Sequence, residues 1–147
     1  MRNFNAPRLL FDTTVLLDAL VEGMPESAEA WEVLKRCSGG GDMGLVTSGS
    51  LKDAYYVLGC GGREVAAREA IGLLMGFLVI APVGAEECEL SMRSGEPDFE
   101  DGLVRACAEL NDVDFILTRD ERAFRTSRVR ALTCREYLKL FGVGHSD

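Results

Sequence analysis

Short runs of consecutive apolar residues alternate along this chain with longer stretches of helical spacing. Arg8-Leu-Leu-Phe-Asp12 predicts a buried strand, and Thr14-Val-Leu-Leu-Asp-Ala-Leu-Val-Glu22 a helix that stops at Gly23. Pro25 suits the first turn of a second helix with Ala28, Trp31, Val33 and Leu34 facing inward, broken by Ser38-Gly-Gly-Gly-Asp42. Met43 to Thr47 is the second predicted strand. Ser50-Leu-Lys-Asp53 then opens the helical run Ala54-Tyr-Tyr-Val-Leu58, and Gly59-Cys-Gly-Gly62 forms a corner before a long helix from Arg63 to Phe77.

Leu78 to Ala81 predicts a third strand, Gly84 to Arg93 a helix, and Asp98 to Leu110 another, with Leu103, Val104, Ala106, Cys107 and Leu110 as its buried stripe. Phe115 to Thr118 is the fourth strand, Glu121 to Phe124 a short helix, and Arg130 to Thr133 the fifth strand. Thr133-Cys-Arg-Glu136 has the capping-box form at the start of a last helix. Helices separate the strands, which implies an α/β fold with a mostly parallel sheet, helices on both faces and right-handed crossovers.

That topology gives meaning to four acids. Loops after parallel strands, and the helix N-termini that follow them, share one edge of the sheet. Asp12 ends the first strand there, Asp53 falls in the first turn after the second, and Asp120 lies just past the fourth. Asp101 opens a helix that runs antiparallel to the strand it feeds, so it returns to the same edge. Converging carboxylates repel unless they bind protons or a cation. Mg²⁺ or Mn²⁺, with its preference for oxygen ligands, suits such a site and phosphodiester hydrolysis. Each acid also suits a helix cap, where it would satisfy free N–H groups. Only ligation requires the four to meet. Asp98 and Glu100 flank Asp101 and are candidates to touch a coordinated water, whereas Asp18, Asp112 and Asp114 read as surface or helix-end residues.

Composition narrows the chemistry. The 147 residues match one domain over 1–147, with 47% hydrophobic and 27% charged residues. The longest uncharged run, Ala70 to Ala85, is interrupted by glycine and proline and reads as a buried helix entering a strand rather than a membrane span. The first residues lack a secretory h-region, so a cytoplasmic location is expected. Five scattered cysteines read as buried small hydrophobes, and the single histidine, His145, leaves no basis for a Ser-His-Asp or Cys-His scheme. The net charge of −8 argues against broad electrostatic wrapping of nucleic acid. Arg119, Arg122, Arg125, Arg128 and Arg130 nevertheless form a local basic stretch. Of these, Arg119, Arg122 and Arg125 are candidates to hold a phosphodiester backbone. One or both of Tyr55 and Tyr56 read as core residues, with base stacking as the alternative.

At these residues the chain resembles the PIN domain family, which includes VapC-like toxin ribonucleases. Leu9-Leu-Phe-Asp-Thr-Thr-Val-Leu-Leu-Asp18 is similar to its opening D-T-N-V-L-L-D, and Thr47-Ser-Gly-Ser-Leu-Lys-Asp-Ala-Tyr-Tyr-Val-Leu58 to its second motif. Asp98-Phe-Glu-Asp-Gly-Leu-Val-Arg-Ala-Cys-Ala108 resembles the third, and Phe115-Ile-Leu-Thr-Arg-Asp-Glu-Arg-Ala-Phe124 the last, T-x-D-x-x-F. Thr14 stands where the family usually has Asn, and Asp53 where it often has Glu.

The resemblance implies a three-layer α/β/α fold with sheet order 3-2-1-4-5, and Asp12, Asp53, Asp101 and Asp120 as catalytic and metal ligands. It also implies Mg²⁺ or Mn²⁺, an RNA substrate, a frequent homodimer and, for toxins, a small antitoxin that covers the site. Two other readings compete. One is a catalytically weak PIN-like scaffold that binds RNA or protein. The other is a doubly wound phosphotransfer or phosphatase domain, disfavoured because Thr14 replaces the second acid of a D-x-D and Ala81-Pro-Val-Gly84 follows the third strand.

Overall fold

The computed structural model describes residues 6–120 and 122–142. Met1 to Asn5, Glu121 and His145, on which some sequence expectations fall, lie outside the described residues.

Five strands form one parallel sheet in the order β3-β2-β1-β4-β5. They are β1 (Arg8–Phe11), β2 (Met43–Thr47), β3 (Val79–Ala81), β4 (Phe115–Leu117) and β5 (Arg130–Leu132). Seven helices connect and flank them: α1 (Thr13–Leu20), α2 (Ser27–Ser38), α3 (Ser48–Leu58), α4 (Glu64–Met75), α5 (Ala85–Arg93), α6 (Phe99–Leu110) and α7 (Cys134–Phe141).

The period-two geometry of a strand sorts the core into two halves. Leu9 and Phe11 of β1, with Val46, Leu117 and Leu132, pack against α1, α2, α3, α4 and α7. Leu10, Leu45 and Ile116 point the other way, toward Val104, Cys107 and Ala108 of α6 and toward Phe124 and Val129. Helix α5 packs on α6. Both sheet faces are therefore covered, giving the three-layer α/β/α arrangement and the strand order that the resemblance implied.

Several local expectations change. Helix α2 starts at Ser27 rather than at Pro25 and buries Ala30, Val33, Leu34 and Cys37, leaving Ala28 exposed because it falls on the face opposite Ala30. Helix α6 buries Gly102, Val104, Ala106, Cys107 and Ala108, while Leu110 is exposed. The run from Ala70 to Ala85 is a helix entering a strand, but only part of it is buried. Strand β3 is an edge strand, and Val79, Ile80, Leu73 and Met75 all remain exposed. No helix forms at residues 122–124; the chain turns instead, with Phe124 in the left-handed region at φ 66°. Cys37, Cys107 and Cys134 are buried, whereas Cys60 is exposed. Among the described residues no helix is long and apolar enough to cross a membrane.

The capping box at α7 forms as its sequence predicts. Thr133 Oγ1 accepts from the Glu136 N–H (3.0 Å), and Glu136 Oε1 accepts from the Thr133 N–H (3.0 Å).

Candidate functional site

The order of connections reverses between β1 and β4, the switch point at which open α/β sheets bind ligands. Leu10 pairs with Ile116 and Phe11 with Leu117, and the Asp12 N–H donates to the Leu117 carbonyl (2.9 Å). This register sets Asp12 and Thr118 side by side as the two strands end.

Asp12 is the N-cap of α1 and only 7% exposed. Its Oδ1 accepts from the Thr13 N–H (2.9 Å), while Oδ2 accepts from the Thr118 hydroxyl (2.8 Å) and the Thr14 hydroxyl (3.3 Å). Burial raises its pKa above the usual carboxylate value, these hydrogen bonds oppose that shift, and the charge of Asp120 adds to it. Thr14, which replaces the family's asparagine, also accepts from the Arg119 N–H (3.2 Å). It thereby links the N-terminus of α1 to the loop after β4.

Asp120 is held in that loop by an Asx turn: its Oδ1 accepts from the N–H groups of Arg122 (2.9 Å) and Ala123 (3.3 Å). Its own N–H donates to Thr118 Oγ1 (3.0 Å). Thr118, read from sequence only as a strand residue, thus connects two of the candidate acids. Asp98 is the N-cap of α6, accepting from the N–H groups of Glu100 (2.7 Å) and Asp101 (3.2 Å), which places Asp101 in the first helical turn. Burial, followed by the charges of Asp12, Asp98 and Asp120, pushes the Asp101 carboxyl up to about 6.

Asp53 sits in the second turn of α3, not the first. Strand β2 passes straight into the helix, and Thr47 rather than Ser50 is the cap, accepting from the Ser50 N–H (3.0 Å). A hydrogen bond with Asp53, together with burial and the Asp53 charge, raises the pKa of Glu100. The Lys52 ammonium lies 3.5 Å from Asp53 Oδ1.

A cleft of about 480 Å³ is lined by Asp12, Asp53, Asp101 and Asp120, with Glu100 between, and by the apolar side chains of Val83, Leu103 and Val104. Four segments far apart in sequence thus bring all four aspartates to one cavity. Capping and convergence prove compatible, since Asp12 caps its helix and still lines the cleft. Asp12 and Asp120 press on Asp101 by charge, and Asp53 likewise raises the pKa of its neighbour Glu100.

Among the described residues, no three or more His, Cys, Asp or Glu side chains are gathered closely enough to hold a metal ion. The donor set is nevertheless that of a hard cation: every candidate ligand is a carboxylate oxygen, and repulsion among three of them is already expressed at Asp101. Mg²⁺ keeps several waters and needs only one or two direct carboxylates, so the donors fit such an ion.

Asp18 and Arg119 depart from expectation. Asp18 is 1% exposed rather than a surface residue, and its Oδ2 pairs with Arg119 Nε at 2.6 Å. Burial raises its pKa and the guanidinium opposes that rise. Arg119 is thereby committed inward, tethering the loop that carries Asp120. Asp18 follows the buried Val15 by three positions on α1, which puts it on the buried face, but an acid there reads as solvent-facing until its cation is known. Glu96 was also overlooked. Its side chain is 3% exposed, accepts from the Phe124 N–H (3.0 and 3.1 Å), and pairs with Arg105 at 3.3 Å. Tyr56 is 68% exposed, contrary to a core reading for both tyrosines, while Tyr55 is half-buried beside it.

Comparison with known proteins agrees with this architecture. No curated protein sequence matches the chain. Solved structures share the fold: Mycobacterium tuberculosis VapC20, described as a sarcin-ricin loop cleaving toxin, superposes with a TM-score of 0.61 at 16% identity, over 76% of this chain and 89% of that one. VapBC2 from Rickettsia felis, bound to a promoter DNA fragment, gives 0.65 at 12% identity over 86% and 98%. A toxin-antitoxin complex from Klebsiella pneumoniae gives 0.65 at 19% over 86% and 97%. A family model of the PIN domain matches residues 8–122, which contain all four aspartates, and this chain therefore belongs to the PIN domain family.

Proposed function

We propose that the chain is a divalent-cation-dependent endoribonuclease, hydrolysing RNA phosphodiester bonds in the cleft between β1, α3, α6 and the loop after β4. The single observation that carries this reading is the meeting of Asp12, Asp53, Asp101 and Asp120 in one cavity at the sheet's switch point. Asp12, Asp101 and Asp120 would hold Mg²⁺ or Mn²⁺, not all as direct ligands in the arrangement seen here but in part through the waters such an ion keeps, with Asp53 completing the set or serving a second ion. When bound, such an ion supplies Lewis acidity toward the phosphoryl oxygen and lowers the pKa of water.

The chain's own residues supply orientation. Thr14 and Thr118 fix the rotamer of Asp12 through its Oδ2, and the N–H groups of Arg122 and Ala123 fix Asp120 through Oδ1. With its carboxyl raised to about 6, Asp101 is largely ionised near pH 7.5, where its oxygens are open to a cation, and becomes protonated as pH falls below 6. Asp53 and Glu100 line the same cleft and are placed to orient the attacking water. Products would carry 5′-phosphate and 3′-hydroxyl ends.

The toxin and the toxin-antitoxin complex that share this fold support a toxin role here, with a small antitoxin covering the cleft. The exposed Leu73, Met75, Val79 and Ile80 support pairing with a second copy, for which light scattering should return twice the chain mass. The site is tested by calorimetric titration with Mn²⁺ beside cleavage of a fluorescent RNA. Asp101→Asn should lose about 100-fold or more in cleavage rate and bind the ion more weakly. Absence of both ion binding and cleavage in the wild type would return the chain to the non-catalytic scaffold reading, and equal cleavage by Asp101→Asn would remove that residue from the site.

A further inference from the structure

We propose that a second groove, beside the acidic cleft, binds the phosphodiester backbone of the RNA strand and feeds it to that cleft. This inference rests on the nuclease reading above. The groove has a volume of about 410 Å³ and is lined by Arg125, Arg128 and Arg130 together with the hydroxyl-bearing Ser127 and Thr133. Asp120 lines it too, and Asp120 also lines the acidic cleft, so the two cavities share a wall. A strand lying among the arginines is delivered directly to the carboxylates.

The chemistry is that of a polyanion site. Guanidinium groups form forked hydrogen bonds to phosphate oxygens, and the Thr133 hydroxyl adds a neutral donor, whereas the Ser127 hydroxyl gives its proton to Glu109 Oε1 (3.2 Å) and serves to frame the groove. Arg128 donates through Nη2 to the carbonyl of Glu109 (2.7 Å), a neutral partner that orients the guanidinium without cancelling its charge. Glu136, the other acid of the groove, is occupied through Oε1 by the Thr133 N–H. On a molecule of net charge −8, three arginines within six residues make a local exception to the repulsion that RNA meets elsewhere.

The groove is also rigidly framed. Glu96 caps the Phe124 N–H, Arg105 bonds the hydroxyl (2.8 Å) and carbonyl (3.0 Å) of Thr126, and the Ser127 hydroxyl receives the Val129 N–H (3.1 Å). Loop residues 123–129 are thus ordered before any ligand arrives, which lowers the entropic loss on binding. The basic residues that take the backbone are therefore Arg125, Arg128 and Arg130, rather than Arg119, whose guanidinium Asp18 holds.

The test is fluorescence anisotropy with a short 5′-labelled single-stranded RNA in EDTA across a salt series, beside cleavage kinetics in Mn²⁺. Arg128→Gln/Arg130→Gln should weaken binding by about tenfold or more and flatten the log–log salt dependence by about 1.4, the value for two lost phosphate contacts on a single strand. In cleavage it should raise KM and leave kcat within about threefold. Arg128→Lys/Arg130→Lys should restore most of the binding, and a control pair on α4 and its preceding turn, Arg63→Gln/Arg68→Gln, should leave it unchanged. Circular dichroism melting checks each fold, and Arg130→Gln alone decides the matter if the double variant does not fold. If the glutamine variants bind and cleave like a cleaving wild type, the groove is overturned and the nuclease stands. A wild type that neither binds nor cleaves overturns both. Tighter binding of a polyglutamate peptide than of RNA would assign the groove to an acidic protein segment and overturn the proposal.

Discussion

At the scale of single residues, the cleft is organised by side chains that serve two purposes. Asp12 satisfies the first N–H of α1 and collects two hydroxyls, while Asp120 closes its own turn. Asp18 and Arg119 form an ion pair beside the site in which the acid is fully buried and the guanidinium partly exposed, and its two members are unequally dispensable. Arg119→Ala leaves a carboxylate at 1% exposure without its cation and should destabilise the fold by about 3–5 kcal/mol in urea denaturation. Arg122→Ala, at an exposed turn position, should change stability by no more than about 0.5 kcal/mol. Equal stability of the two variants would mean that Asp18 does not depend on Arg119. Sequence exposed Asp12, Asp101 and Asp120 through their motifs. It did not expose Asp18 as buried, because an acid inside a helix reads as solvent-facing until a cation is known to lie above it.

At the scale of elements, the position of Asp101 depends on how closely α5 approaches α6. Gly102 makes this possible: a Cβ there would collide with Ser91 Oγ and lie 2.9 Å from Ser91 Cβ and 3.1 Å from its Cα. Part of that obstruction is backbone, so rotation of the serine cannot relieve it. Gly102→Ala should therefore push α5 away and destabilise the protein by about 1–3 kcal/mol, despite alanine's better helix propensity. A raised thermal midpoint for this variant would refute the packing argument. Most elements were legible as patterns because a three-layer fold buries whole strands and one stripe of each helix. The exceptions have local causes. Asp120 and Glu96 capture the N–H groups of residues 122–124, so the chain turns where a short helix was expected. Likewise Thr47 caps α3 earlier than Ser50 would, moving Asp53 into the second turn.

At the scale of the whole molecule, uncompensated negative charge dominates. Asp12, Asp18, Glu100 and Asp101 all have carboxyl pKa values raised in the folded state, Asp101 to about 6. A carboxyl raised above its unfolded value takes up more protons when folded, so its contribution favours folding at low pH and is lost as pH rises toward the folded value. In EDTA the thermal midpoint should accordingly be higher near pH 5 than near pH 7.5. Adding Mn²⁺ should raise the midpoint more at pH 7.5 than at pH 5, since the ion competes with protons for the same oxygens. A midpoint in EDTA that rises from pH 5 to pH 7.5 would show that other groups outweigh these four.

The sequence by itself determined the class of fold, the succession of strands and helices, and which acids reach one edge, because these follow from hydrophobic period and from the directionality of a parallel sheet. It also carried the motifs of the family. Only the tertiary structure decided which charges neutralise one another and which remain available. Asp18 draws Arg119 inward across a gap of about a hundred residues of chain. Glu96 and Arg105 brace the loop at residues 123–129, and Asp120 becomes the wall between an acidic cleft and an arginine groove. The physical reason is that burial and Coulomb interaction depend on distance in space, whereas periodicity is written along the chain. The four aspartates could be named from spacing; that the charges of Asp12 and Asp120 bear on Asp101 while Asp53 bears on Glu100 could not.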